Sequence, residues 1–139
     1  SEFDDPQDDL KVSAAPNALV LFNPALMLAE LPGTNAGSLR AVPDRGFLGA
    51  DPAQISPVHH MKKDAPPTII FHGRADTTVP FRTAEIFTER MKAEGNACDL
   101  VDYANQGHGF FNQEPFRSRT LARADEFLVA LGWLQSPAQ

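Results

Sequence analysis

"TIIFHGRADTTVPF" runs from Thr68 to Phe81. Its first five residues, Thr68 to His72, form an apolar run with no polar alternation, which fits a strand buried on both faces, as in a parallel sheet. Pro66-Pro67 sets the start of that strand and Gly73 its end. Arg74, Ala75 and then Asp76 follow, before a Val79-Pro80 pair. A carboxylate just past the carboxyl end of a parallel strand stands where such sheets bind ligands.

Two more strands flank this one in the chain. "ALVLF", Ala18 to Phe22, is a second run without alternation, stopped by Asn23-Pro24. "CDLVDY", Cys98 to Tyr103, carries Asp99 and Asp102 and is expected near a sheet edge. Between them "RTAEIFTERMKAEG" repeats Ala84, Phe87 and Met91 at helical spacing, with Ile86 and Arg90 beside the stripe and Gly95 as its stop. Arg82, Glu85, Glu89, Lys92 and Glu94 form a solvated face. A last helical stripe, Leu121, Ala124, Leu128 and Leu131, ends at Gly132. Residues 25–66 are punctuated by Gly, Pro, Asn and Ser, with short helices expected around Pro52–Ile55 and Val58–Lys62. The order strand, crossover, strand, helix, strand, helix implies an α/β fold of about three parallel strands with right-handed crossovers.

The composition bounds the function. At 139 residues the chain is one domain's worth, with 42% apolar and 22% charged residues, the balance of a globular protein. A net charge of −6, with Lys62-Lys63 as the one basic pair, argues against nucleic acid, whose phosphates need clustered cations. No apolar stretch approaches the roughly 20 residues of a membrane span. The single cysteine, Cys98, cannot form an intrachain disulfide and sits on a strand as a packing residue. Neither fact fixes the compartment, cytoplasmic or exported. Residues 1–15 are expected to be an acidic linker, opening on "SEF" like a cloning scar, with the folded portion at 16–135.

His108 follows the third strand in "NQGHGF", flanked by Gly107 and Gly109. Neighbouring parallel strands bring their following loops together, so Asp76 and His108 are expected at one sheet edge. A carboxylate that accepts from one imidazole nitrogen fixes the tautomer and leaves the other nitrogen to take a proton. Each residue alone reads as a turn or capping residue; the pair in the order acid then histidine reads as chemistry. Gly73, Gly107 and Gly109 are expected to supply the backbone freedom of the two loops. Other candidates read as structural. His59-His60 lacks a carboxylate or cysteine at ligand spacing, His72 ends a buried strand, and Arg74 is a solvated loop residue.

"PPTIIFHGRADTTVPFRTAEIFTERMKAEG" followed by "CDLVDYANQGHGFFN" resembles the C-terminal part of an α/β-hydrolase, of the esterase and lipase branch that is also similar to prolyl oligopeptidase and dienelactone hydrolase catalytic domains. "PNALVLFNPAL", Pro16 to Leu26, resembles the strand after the nucleophile helix. The resemblance covers roughly residues 3–133. It implies Asp76 as triad acid and His108 as triad base of a serine carboxylesterase, with no metal or organic cofactor. The family's nucleophile sits in a G-x-S-x-G elbow. None of Ser1, Ser13, Ser38, Ser56, Ser118 and Ser136 has glycine two before and two after, and no H-G-G-G stretch exists. The expectation is therefore a C-terminal fragment whose nucleophile-bearing portion is absent, inactive alone. Its partners would be a small ester substrate and either the missing N-terminal half or a second copy, paired through the edge at Ala18–Phe22. A non-catalytic hydrolase-fold interaction domain and a peptidase of the prolyl oligopeptidase type remain as alternatives. Acyl and alcohol specificity, and the substrate-binding residues, stay open.

Overall fold

The computed structural model describes residues 5, 7, 9, 11–35, 49 and 51–135. Ser1 to Phe3, Ser38, Ser136 and most of the acidic start lie outside the described residues. Three strands, β1 (Leu19–Phe22), β2 (Thr68–Gly73) and β3 (Cys98–Tyr103), form one parallel sheet in the order β1-β2-β3. β1 and β2 align from Leu19↔Thr68 to Phe22↔Phe71, and β2 and β3 from Thr68↔Cys98 to Gly73↔Tyr103. Every residue of β2 is buried, as a central strand with no alternation requires. β3 keeps Asp99 and Asp102 exposed at the other edge, as its composition implies.

Helix α1 (Phe81–Ala93) buries Ala84, Ile86, Phe87 and Met91 against the face that carries Leu21, Ile70 and Leu100, and Leu26, Met27 and Leu31 complete this layer. Helix α2 (Phe116–Ala130) covers the opposite face, packing Ala124 and Phe127 with Val20, Ile69, Phe71 and Val101. Each buried Phe or Ile contributes about 1.5–3 kcal/mol. The 13 residues of α1 end in a Schellman motif: Gly95 adopts φ 80°, its N–H bonds Lys92 O at 3.0 Å, and the Asn96 N–H bonds Met91 O at 2.9 Å. The short helices are 3₁₀ turns at Pro52–Ile55 and Pro57–His60.

The inward face of α2 differs from the expected stripe. The helix starts five residues before Leu121, at Phe116, and Thr120, Ala124 and Phe127 turn inward. Leu121 is 53% exposed. The aromatic residues choose the face, since Phe116 and Phe127 reach further into the layer than a leucine stripe one position away.

β1 is half-buried and has β2 on one side. Leu19 N–H and Asn23 N–H bond to Pro67 O and Phe71 O at 2.9 Å. In a parallel strand alternate residues face alternate neighbours, so the backbone groups of Val20 and Phe22 point to the other side. Among the described residues no strand lies there.

Candidate active site

Three loops meet past the carboxyl ends of the three strands, one from each. The loop after β2 carries Asp76, whose side chain is fully buried. Gly73 is there for closeness. A Cβ at this position would stand 2.2 Å from Gln106 O, so only a bare backbone lets the two loops touch. Arg74 N–H then bonds Tyr103 O at 3.0 Å and Ala75 N–H bonds Gln106 O at 2.9 Å. These bonds lock the loop after β2 onto the loop after β3. Gly109 has the left-handed φ of 76°, whereas Gly107 does not adopt a positive φ and is not needed for backbone freedom.

His108 lies on the second of these loops. Phe110 and Phe111, one residue further on, hold the loop down: Phe110 packs tilted against Tyr103 at 4.7 Å between ring centroids and Phe111 meets Phe22 at 5.0 Å. His108 Nδ1 is 2.9 Å from Asp76 Oδ2. The ring is 43% exposed, and its Nε2 makes no hydrogen bond among the described residues. Against an ionised carboxylate Nδ1 must carry the proton, which leaves the lone pair on Nε2.

The carboxylate is held from several sides. Oδ1 accepts from Thr78 N–H at 2.8 Å and Val79 N–H at 2.9 Å. Oδ2 accepts from His108 and from the Asn23 amide at 2.6 Å. Burial opposes ionisation of Asp76, but the Val79 N–H, the His108 contact and the Thr78 N–H outweigh it and hold the carboxyl below its ordinary range. His72 is wholly buried, with Nε2 donating to Val79 O at 3.0 Å and standing 3.4 Å from Asp76 Oδ2. Desolvation by burial lowers its pKa, so it stays neutral. His72 thus braces the Asp76 loop from beneath and does not reach solvent.

In the sequence Asn23 reads only as the stop of a strand. The signal that could have found it is an asparagine, a residue tolerant of left-handed backbone, at the end of a strand neighbouring the one that presents the acid. Arg74 is the exposed loop residue expected, and it also has partners. It pairs with Asp102 on β3 and lies over the Phe81 ring, 5.1 Å from its centroid.

The remaining candidates do not join the site. Cys98 is buried, and burial pushes its thiol pKa up. His59 Nδ1 contacts Ser56 Oγ at 2.9 Å, a serine–histidine pair that invites attention. Ser56 is fully buried and its Oγ already accepts Leu28 N–H at 2.9 Å, so the pair fastens two loops together. His60 Nε2 bonds Gln54 O at 2.6 Å. Among the described residues no cluster of three or more His, Cys, Asp or Glu could hold a metal ion, and no helix is long and apolar enough to cross a membrane. A groove of about 560 Å³, bounded by Pro16, Leu19, Pro67 and Met91, opens at the amino ends of the strands, away from Asp76 and His108.

Comparison with known proteins agrees with this architecture. Residues 48–132, well over half of the chain, match the prolyl oligopeptidase family. A thermophilic esterase of the planctomycete Thermogutta terrifontis superposes with a TM-score of 0.86 at 40% sequence identity, covering 100% of this chain and 51% of that one. A propionate-bound structure of the same esterase gives a TM-score of 0.85 at 41% identity, over 99% of this chain and 51% of that one. Among curated proteins, an isoprenylcysteine alpha-carbonyl methylesterase of Arabidopsis thaliana is 38% identical over 53 residues, 37% of this chain and 12% of that protein. Esterase LipC of Mycobacterium tuberculosis is 32% identical over 56 residues, 40% of this chain and 14% of that protein. The chain thus spans about half the length of the solved esterase and a much smaller share of the curated relatives. With the three parallel strands, the two covering helices and this match in hand, the chain belongs to the prolyl oligopeptidase family of the α/β-hydrolase superfamily.

Proposed function

We propose that this chain is the acid-and-base portion of a serine carboxylic-ester hydrolase, with Asp76 orienting His108 and His108 serving as general base. The observation that carries it is the 2.9 Å contact between a fully buried carboxylate and a partly exposed imidazole whose other nitrogen has no hydrogen-bond partner among the described residues. In the complete domain, a serine outside these 139 residues attacks the ester carbonyl and passes its proton to His108 Nε2. The imidazolium is stabilised by Asp76 and returns that proton to the leaving alcohol. The substrates proposed are esters of short acyl groups, in line with the propionate-bound structure of the Thermogutta esterase.

Residues 16–135 are on this reading the C-terminal portion of a larger hydrolase domain, preceded by a linker. The chain alone is expected to be inactive, since a general base without a nucleophile or oxyanion hole lacks the groups that supply most of the rate. Nitrophenyl propionate assays on the 139-residue chain and on the complete gene product test this together. The complete protein should lose about 10³-fold or more in kcat on His108→Ala, on the scale of removing a triad member. Undiminished hydrolysis in that variant would remove His108 from the mechanism. The family match also favours a second reading, a peptidase acting on prolyl peptides. Amide hydrolysis of such peptides in preference to short esters would select it.

A further inference from the structure

We propose that Asn23 is a positioning residue for the Asp76–His108 pair, tying the acid and the histidine loop together through a single amide. The proposal rests on the reading of His108 as the base. Asn23 directly follows β1, and its N–H still extends the ladder to Phe71 O. Its φ of 44° then turns the chain out of the strand. The side chain, 4% exposed, brings Nδ2 to 2.6 Å from Asp76 Oδ2, 3.4 Å from Gly107 O and 3.5 Å from His108 Nδ1. One NH₂ group thereby reaches both of the other loops.

The orientation of the amide is fixed by charge, because the reverse orientation would set an amide oxygen against a carboxylate oxygen. Both amide hydrogens have uses, one on Oδ2 and one toward the Gly107 carbonyl. The amide oxygen is buried without a partner. Asn23 thus combines a left-handed backbone with an unmet buried acceptor, both unfavourable for stability. A residue kept for packing alone would avoid both. Thr78 and Val79 fix Oδ1, yet they leave Oδ2 free to swing. Asn23 restrains that oxygen where His108 Nδ1–H must find it, and the bond to Gly107 O restrains the residue before His108.

The test is NMR of the 139-residue chain, following the Asp76 carboxyl titration and the His108 ring-nitrogen shifts that report its tautomer. The variants are Asn23→Gly, Asn23→Asp, Asp76→Asn and the double variant Asn23→Gly/Asp76→Asn. Glycine accepts a positive φ, so Asn23→Gly removes the side chain and leaves the turn. Loss of a hydrogen bond to the ionised carboxylate should raise the Asp76 midpoint by about one pH unit. The Nδ1–H tautomer fraction of His108 should fall as well. In the Asp76→Asn background the further change should leave the tautomer where Asp76→Asn already put it. An Asp76 midpoint and a His108 tautomer unchanged in Asn23→Gly would overturn the proposal, however far the melting temperature falls. Should Asn23→Gly not fold, Asn23→Asp decides. Aspartate tolerates the turn and sets a second carboxylate against Oδ2, so the pair should titrate in two steps with the upper one above the ordinary carboxyl range. Two independent, ordinary titrations would refute the contact. If the complete protein's His108→Ala variant keeps its ester hydrolysis while these couplings hold, the functional reading fails and the positioning stands.

Discussion

Substituting Gly73 by alanine tests the tightest glycine position among the described residues. The added Cβ would lie 2.2 Å from Gln106 O, 2.7 Å from Gln106 C and 3.0 Å from Gly107 O. All three are backbone atoms, so no side chain can rotate away. The two loops must part by more than an ångström, which breaks the Ala75 N–H bond to Gln106 O. Overpacking costs about 1–3 kcal/mol, and the lost bond adds about 1 kcal/mol. We expect a loss of roughly 2–4 kcal/mol of unfolding free energy in urea titrations, with the His108 ring moved off Asp76. If the complete protein is the proposed ester hydrolase, a displacement of this size should cost about 10²-fold in kcat. Gly107→Ala is the matched control: its Cβ would approach nothing nearer than Ala75 O at 3.9 Å, so it should change stability by about 0.5 kcal/mol or less. Equal effects of the two substitutions, or a Gly73→Ala protein as stable as the parent, would refute the close-approach argument.

Further outcomes follow from the same geometry. The native Asp76 pKa lies below its unfolded value, so its contribution is complete above about pH 4 and is lost as pH falls through the lowered native value. Acid titration of stability should show that loss and Asp76→Asn should lack it. His72 is also depressed, by burial, so its contribution is complete above about pH 6.5 and declines below it, by at most about 1.4 kcal/mol per pH unit. A His72→Gln protein should have a flatter stability profile between about pH 6.5 and 5, and an identical profile would show that His72 is not buried neutral. At neutral pH Asp76→Asn should lower stability by about 1.5–3 kcal/mol, because an amide hydrogen replaces an acceptor facing His108 and Asn23. Cys98 should react with a thiol reagent only when the fold opens, so its labelling rate should track unfolding; immediate labelling in native buffer would contradict its burial.

The parts legible in the sequence were those with a local physical signature. β2 and β3 announced themselves by composition, and Asp76 and His108 by their places just past strand ends. The parts that were not legible depend on what stands opposite. The face of α2 is chosen by Phe116 and Phe127 against the sheet, which the leucine spacing does not encode. Gly73 is required by Gln106, a residue from another loop, and Asn23 meets a carboxylate on the loop that follows another strand. Phe110 and Phe111 were written beside His108, yet their anchoring of its loop becomes visible only once Tyr103 and Phe22 are placed.

The uneven attachment of β1 bears on how the molecule comes apart. β1 is joined to β2 over four paired residues and is half-buried, whereas β2 and β3 pair over six and β2 is wholly enclosed. The connection to β1 is also the longer of the two, so it closes at a slightly greater entropic cost. Partial opening should therefore begin by peeling β1 away, with its amides exchanging hydrogen for deuterium before those of β2. Asn23 leaves with that strand, while Asp76 and His108 stay on the unit formed by β2, α1 and β3. Fluctuations of one sheet edge would thus loosen the acid while the histidine remains bonded to it, giving a graded, reversible loss of alignment well short of global unfolding.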